Sequence, residues 1–161
     1  MTDDILKQLV YDPNTGVFTW LVAKSNMPVG SVAGTARKDC YVRICVDRVS
    51  YRAHRLAWLF MTGEWPQSEI DHVNGNKADN RWANLRLCSR RQNTANTRRK
   101  STNTTGFKGV AVHPHHPDRY VARIRWNGKM KHLGVFDDKT SAHAAYVEAA
   151  KQQFGAFHNA G

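Results

Sequence analysis

The stretch from Asn74 to Asn84 constrains this chain most. Asn74-Gly75-Asn76 opens it, Asp79-Asn80-Arg81 centres it and Asn84 closes it. Glycine accepts positive φ, and Asn and Asp side chains bond their own backbone, so this composition makes a loop and interrupts any regular element. Short segments of strand character flank it, Glu69 to His72 and Leu85-Arg86-Leu87-Cys88. After the second, Ser89 can cap a helix through about Asn96. The predicted order is strand, long loop, strand, helix.

Upstream, Ala53 to Thr62 reads as a helix ending near Gly63, with Pro66 soon after. Ile5, Leu6, Leu9 and Val10 have helical spacing, and Asp12-Pro13-Asn14-Thr15-Gly16 is a turn signal. Val17 to Leu21 and Tyr41 to Val46 look like strands, with Gly30 and Gly34 punctuating a loop between them. Downstream, residues 98–105 carry no apolar side chain and include Arg98, Arg99 and Lys100. They read as a basic linker, either a solvated tether or a segment that tracks phosphates; the neighbouring motifs favour the second. Three further strands are predicted over Phe107 to His113, Arg119 to Trp126 and Lys129 to Phe136, the last two joined by the hairpin signal Asn127-Gly128. Thr140 can cap a helix from about Ser141 to Phe154, stopped by Gly155, whose Ala142, Ala145 and Ala149 give it a small-residue face. The predicted class is α+β. Residues 1–97 form one domain, with a small β region over 1–50 and the strand-loop-strand-helix core over about 51–97. The linker 98–105 follows, and then a three-stranded antiparallel sheet packed on one helix over 106–161.

Composition narrows the partner. Lys and Arg number 24 against 13 acids, a net charge of +11. Such a surplus points to a polyanion, chiefly DNA or RNA; the plainer reading is a basic protein without one. Five Trp and six Phe spread along the chain exclude a disordered basic tail. The three cysteines, Cys40, Cys45 and Cys88, form no CxxC pair, which suits reduced thiols. No apolar run is long enough to span a membrane, and the acidic Met1-Thr2-Asp3-Asp4 start lacks a signal-peptide core. The expected location is the cytoplasm of a bacterial or phage-infected cell.

The chemistry concentrates at Asp71-His72. Asn84 follows the imidazole by 12 residues and Asn93 by 21. Phosphodiester hydrolysis needs a nucleophilic water, charge neutralisation at the phosphate and stabilisation of the departing oxygen. Asp71 and Asn93 offer the oxygen ligands that magnesium or manganese prefers, and a neutral His72 can take the water's proton. Adjacent strand residues face opposite ways, so Asp71 and His72 converge only if the strand twists or ends there. Singly, each residue has a duller role: Asp71 and Asn84 as turn formers, His72 at a strand end, Asn93 as an exposed helix polar. Together, at this spacing, they read as a metal-dependent nuclease. His54, which opens a helix, reads as structural or as a phosphate contact. Arg86, Arg90 and Arg91 either hold phosphate or form a solvated basic face.

These residues resemble the HNH endonuclease family, closest to its phage and intron-associated homing-type members. The resemblance is carried by Ile70 to Asn76, Asp79-Asn80-Arg81, Asn84-Leu85-Arg86 and Gln92-Asn93, with Tyr51 to Trp58 similar to the block that precedes the motif. It implies His72 as general base, Asp71 and Asn93 as metal ligands and Asn84 as the brace of the loop. Asn rather than His at the last position argues for a hard cation over zinc. Residues 106–161 are similar to the plant ethylene-response-factor (Apetala-type) DNA-binding domain, through Gly106 to Val110, Tyr120 to Arg125, His132 to Phe136 and the Ala-rich helix. That resemblance implies a sheet that enters the major groove. Period-two alternation sets Val121, Arg123 and Arg125 on one face and Ala122, Ile124 and Trp126 on the other. Lys108, His113 and His132 fall at further contact positions, while Ala111, His115 and His132 stand where larger basic or aromatic readers are common. His113, His115 and His116 invite a zinc site, against which no cysteine lies nearby and Pro114 and Pro117 suggest a loop. The expected partner is double-stranded DNA, nicked by a monomer or cut through by a dimer. The alternative from another class is a DNA-binding regulator with an inert nuclease centre. An RNA-directed nuclease ranks third, since no RNA-recognition aromatic motif is present.

Overall fold

The computed structural model describes residues 2–24, 26–96 and 102–159, with side chains from Asp4 onward. The chain divides into two compact units, Met1–Ser89 and Arg90–Gly161. The structure is mixed α/β, built from small sheets and a few helices.

In the first unit, α1 (Thr2–Leu6) ends before Leu9. Leu9 and Val10, expected in that helix, instead open strand β1 (Leu9–Asp12), which pairs antiparallel with β2 (Val17–Trp20). Leu9 is buried and Val10 exposed, the alternation of a half-covered strand. A helix this short is marginal alone, so pairing with β2 overrides its spacing. Asp12 sets the turn: its carboxylate accepts from the Asn14 amide at 2.9 Å and the Thr15 hydroxyl at 2.8 Å.

The loop expected around Gly30 and Gly34 holds two short strands, β3 (Val32–Ala33) against β2 and β4 (Thr35–Ala36) against β5 (Val42–Val46). β6 (Val49–Arg52) pairs with β5 and was absent from the sequence reading. Its turn is Asp47-Arg48, with φ of 50° and 68°, and has no glycine to announce it. β6 runs straight into α2 (Ala53–Thr62), which lies where predicted, with Gly63 donating to the Leu59 carbonyl at 2.8 Å. β7 (Glu69–His72) and β8 (Leu85–Cys88) also fall at their predicted positions, with Asp71 opposite Arg86 and His72 opposite Leu85. A single 3-10 turn, Trp82–Asn84, closes the loop between them. One core unites these elements: Leu9, Phe18 and Trp20 pack in the same cluster as Ile44, Leu56, Ile70 and Leu85. Phe18 stacks on Tyr11 at 4.7 Å and meets Phe60 edge-on at 5.5 Å. The N-terminal strands are therefore part of the first unit's interior.

The second unit opens with α3 (Arg90–Ala95). Strands β9 (Val110–His113), β10 (His116–Trp126) and β11 (Lys129–Phe136) form an antiparallel sheet with β10 in the middle. Asn127 and Gly128 turn the hairpin with φ of 48° and 81°. On α4 (Lys139–Phe154), Ala142, Tyr146 and Ala150 are buried, in clusters with Val110, Ala122 and Ile124. Three details differ from the sequence reading. The carboxylate of Asp138, rather than Thr140, caps α4, accepting from the amides of Thr140 and Ser141 at 2.8 Å each. β9 begins at Val110, because Thr105 and Asn103 fold back ahead of it; the Thr105 hydroxyl donates to the Val110 carbonyl at 3.0 Å. Val121 is buried at 1% exposure, so the sheet face of Arg123 and Arg125 is covered at that end; a register shift follows between Ala122 and Arg123. Arg98, Arg99 and Lys100 lie outside the described residues. Among the described residues no helix is long and apolar enough to cross a membrane.

Candidate functional site

β7 ends at His72, and the side chains of Asp71 and His72 are both buried. Arg86, directly across on β8, sends Nε and Nη2 to Asp71 Oδ2 at 2.9 and 2.7 Å. The pair is nearly desolvated, at 20% and 4% side-chain exposure. Arg86 thus faces the carboxylate beside the imidazole rather than solvent, and its fork fixes that carboxylate.

Burial holds the His72 imidazole below its ordinary pKa, against the opposing pull of Asn80 and Asp71. The ring is accordingly neutral near pH 7, the state that can accept a proton. His72 Nε2 lies 3.5 Å from Asn80 Oδ1. The His54 ring stands edge-on to His72 at 5.0 Å and 88°. Burial, helped by His72, Arg52 and Arg55, pushes the His54 pKa down to about 3. Tyr41 completes a group of three rings, 5.2 Å from His54 and 6.0 Å from His72.

The loop that defined the sequence pattern is a closed hydrogen-bond system. The Asn84 side chain accepts from the Asn74 amide at 3.0 Å and donates to the Asp79 carbonyl at 2.7 Å, joining the loop's ends to its middle. Asp79 binds Arg81 at 2.8 and 2.6 Å and Asn74 Nδ2 at 2.7 Å. Chiefly through Arg81, its pKa falls to about 2. The N-terminal hairpin supports the loop from below. The Tyr11 hydroxyl donates to the Asn80 carbonyl at 2.7 Å, and the Trp82 amide to the Pro13 carbonyl at 2.9 Å. Gly16, at φ +73°, lies so close to the backbone of Asn80 and Arg81 that a Cβ there would collide with it.

Sequence reasoning missed the roles of Tyr11 and Tyr41 and gave Asn80 none, because each acts through contacts remote in sequence. For His54, the reading as structural or phosphate-binding omitted its packing on His72.

The remaining expected residues belong to the second unit. Asn93, half-buried, sits on α3, whereas Asp71 is in the first unit. Arg90 and Arg91 are exposed, with the Arg91 guanidinium 5.8 Å from the Phe154 ring. Arg123, Arg125 and His132 are exposed on β10 and β11, with Arg123 opposite His132. His113 Nδ1 accepts from the His115 amide at 3.2 Å, and its ring lies 5.0 Å from His116. Lys108 is turned inward, donating to the carbonyls of Ala95 and Asn159 at 2.8 and 3.0 Å, and burial brings its pKa down to about 8. Among the described residues, no group of three or more His, Cys, Asp or Glu is placed to hold a metal ion.

No curated protein and no solved structure matches the chain. Residues 51–95 do match the HNH endonuclease family, and that stretch, running from β6 through α2, the braced loop and its strands into α3, is thereby similar to a nuclease domain that acts on DNA.

Proposed function

We propose that this protein is a metal-dependent DNA endonuclease of homing type, in which the first unit cuts and the sheet of the second reads the duplex. The observation that carries this reading is the end of β7, where a buried imidazole adjoins a carboxylate held by an arginine. His72 takes a proton from water; the water oxygen bonds to phosphorus, the bond to the leaving oxygen breaks, and that oxygen is protonated in turn. Asn80 and His54 hold the imidazole, and Arg86 holds Asp71. The donor chemistry fits magnesium or manganese, which need few protein oxygens and take the rest from water and phosphate. Asp71 would hold the ion, which when bound neutralises charge at the phosphate.

Recognition rests on the resemblance of residues 106–161 to the Apetala-type domain and on the exposed Arg123, Arg125 and His132. Arginine can take guanine through two hydrogen bonds, a discrimination of roughly 1 to 3 kcal/mol per good contact. Arg90, Arg91 and the basic segment Arg98 to Lys100 would add phosphate contacts. One observation favours a second reading: Asp71 Oδ2 is already engaged by Arg86, as in a DNA-binding regulator whose centre is inert.

Supercoiled plasmid separates the two. The nuclease nicks it in magnesium or manganese and not in EDTA, and His72→Ala abolishes nicking while retaining gel retardation. Retardation by the parent without any nick in either metal selects the regulator.

A further inference from the structure

Tyr41 gathers more than the two imidazoles. The Arg52 guanidinium lies 4.6 Å from its ring centre and the Lys77 ammonium 4.8 Å. Arg52 ends β6 and Lys77 belongs to the braced loop, so fold rather than sequence brings them to one ring. Both side chains are exposed. An aromatic face attracts a cation only weakly at an exposed site, while two cations sharing one ring repel each other. An anion between them removes that repulsion. The nearby Asp39 carboxylate does not fill this place, because it is bound by Arg43 at 2.8 Å, although its field reaches Arg52. The charge of Lys77 also reaches His72.

We propose that Arg52 and Lys77, assembled on Tyr41, form a phosphodiester-binding subsite that holds the DNA backbone against His72. The ligand is a tetrahedral monoanion with two nonbridging oxygens, one for each cation. Guanidinium and ammonium donors suit such oxygens through charge-assisted hydrogen bonds. The same Tyr41 ring that the two cations approach lies 5.2 Å from the His54 ring and 6.0 Å from that of His72. In catalysis this proposal rests on the nuclease reading, for the subsite fixes the phosphate that the activated water attacks. Positioning of this kind acts on the chemical step more than on affinity, because many other cations of the chain contribute to holding the duplex.

The test uses the full chain with Arg52→Ala, Lys77→Ala and the double variant, the charge-keeping Arg52→Lys and Lys77→Arg, and Lys7→Ala as a control at an exposed site. Melting temperatures equal to the parent's confirm folding. Under single-turnover conditions with saturating protein, plasmid nicking by the double variant is expected to fall by about 100-fold, with duplex Kd changed by less than about threefold. The charge-keeping variants should lose less activity than the corresponding alanine variants, and Lys7→Ala should stay near the parent. The subsite is refuted if the double variant cleaves at the parent's rate, or if more protein restores its rate. If the parent itself nicks in neither metal, the nuclease reading fails, and the subsite is decided in EDTA. There a short DNA duplex should shift the imidazole proton resonances of His54 and His72 in the parent and not in the double variant. Equal shifts in both proteins, or none in the parent, overturn it.

Discussion

At the scale of single residues, the site depends on charges that neutralise one another away from water. Arg86 and Asp71 make the nearly desolvated pair beside His72. Arg86→Ala would strip a buried carboxylate of its main counter-charge, which costs about 3 kcal/mol in such settings. Denaturant unfolding should show that loss, and a change below about 0.5 kcal/mol, the size of an ordinary surface substitution, would count against the pair's role. Asp79 gives a pH prediction. Its folded pKa is depressed to about 2, chiefly by Arg81, so its ionised form favours the folded state. That contribution is complete above the ordinary aspartate value of about 3.9 and disappears as pH falls toward the folded value. Asp79→Asn should accordingly unfold with a shallower dependence on pH than the parent between about pH 4 and 2. Identical acid limbs for the two proteins would refute this.

At the scale of elements, the loop is held by a few specific bonds. Asn84→Ala removes one acceptor and one donor from backbone groups at Asn74 and Asp79. The expected cost is about 2 kcal/mol, with faster amide exchange confined to the loop. Loss of stability without local exchange would mean that Asn84 acts elsewhere. The loop is also where the sequence was most legible. β7, β8 and α2 stand where Asn-Gly punctuation and helical spacing set them, because each carries a local signal. β6 was missed because Asp47-Arg48 turns the chain without glycine. Leu9 was misread because a strand partner outweighs helical spacing over so few residues. In the site, the strand and loop signals set Asp71 and His72 at the end of β7 and Asn84 at the close of the loop, where they lie. The ring group of Tyr41, His54 and His72 was not legible, since its members come from a loop, α2 and β7 and share no motif. The inward turn of Lys108 is equally invisible to spacing, because its partners are two backbone carbonyls.

At the scale of the whole molecule, a net charge of +11 sets how the chain should meet a duplex. Each neutralised phosphate releases counterions, so affinity falls as salt rises. With roughly four phosphate contacts, binding should weaken by about 100-fold between 50 and 200 mM salt. Fluorescence anisotropy on a labelled duplex measures this directly, and a loss smaller than about fivefold would show that charge is not the main source of affinity. Sequence preference is a separate property: replacing Arg123 or Arg125 should flatten discrimination among duplexes, whereas replacing Arg90 should weaken all of them alike.

The contact of Tyr11 with the Asn80 carbonyl reaches beyond stability. Asn80 receives the hairpin on its backbone and touches His72 with its side chain, so one residue transmits the hairpin's position to the imidazole. A graft of residues 51–95 into another chain would import the recognisable motif without its foundation. The smallest transplantable unit begins at the N-terminal strands rather than at the edges of the motif.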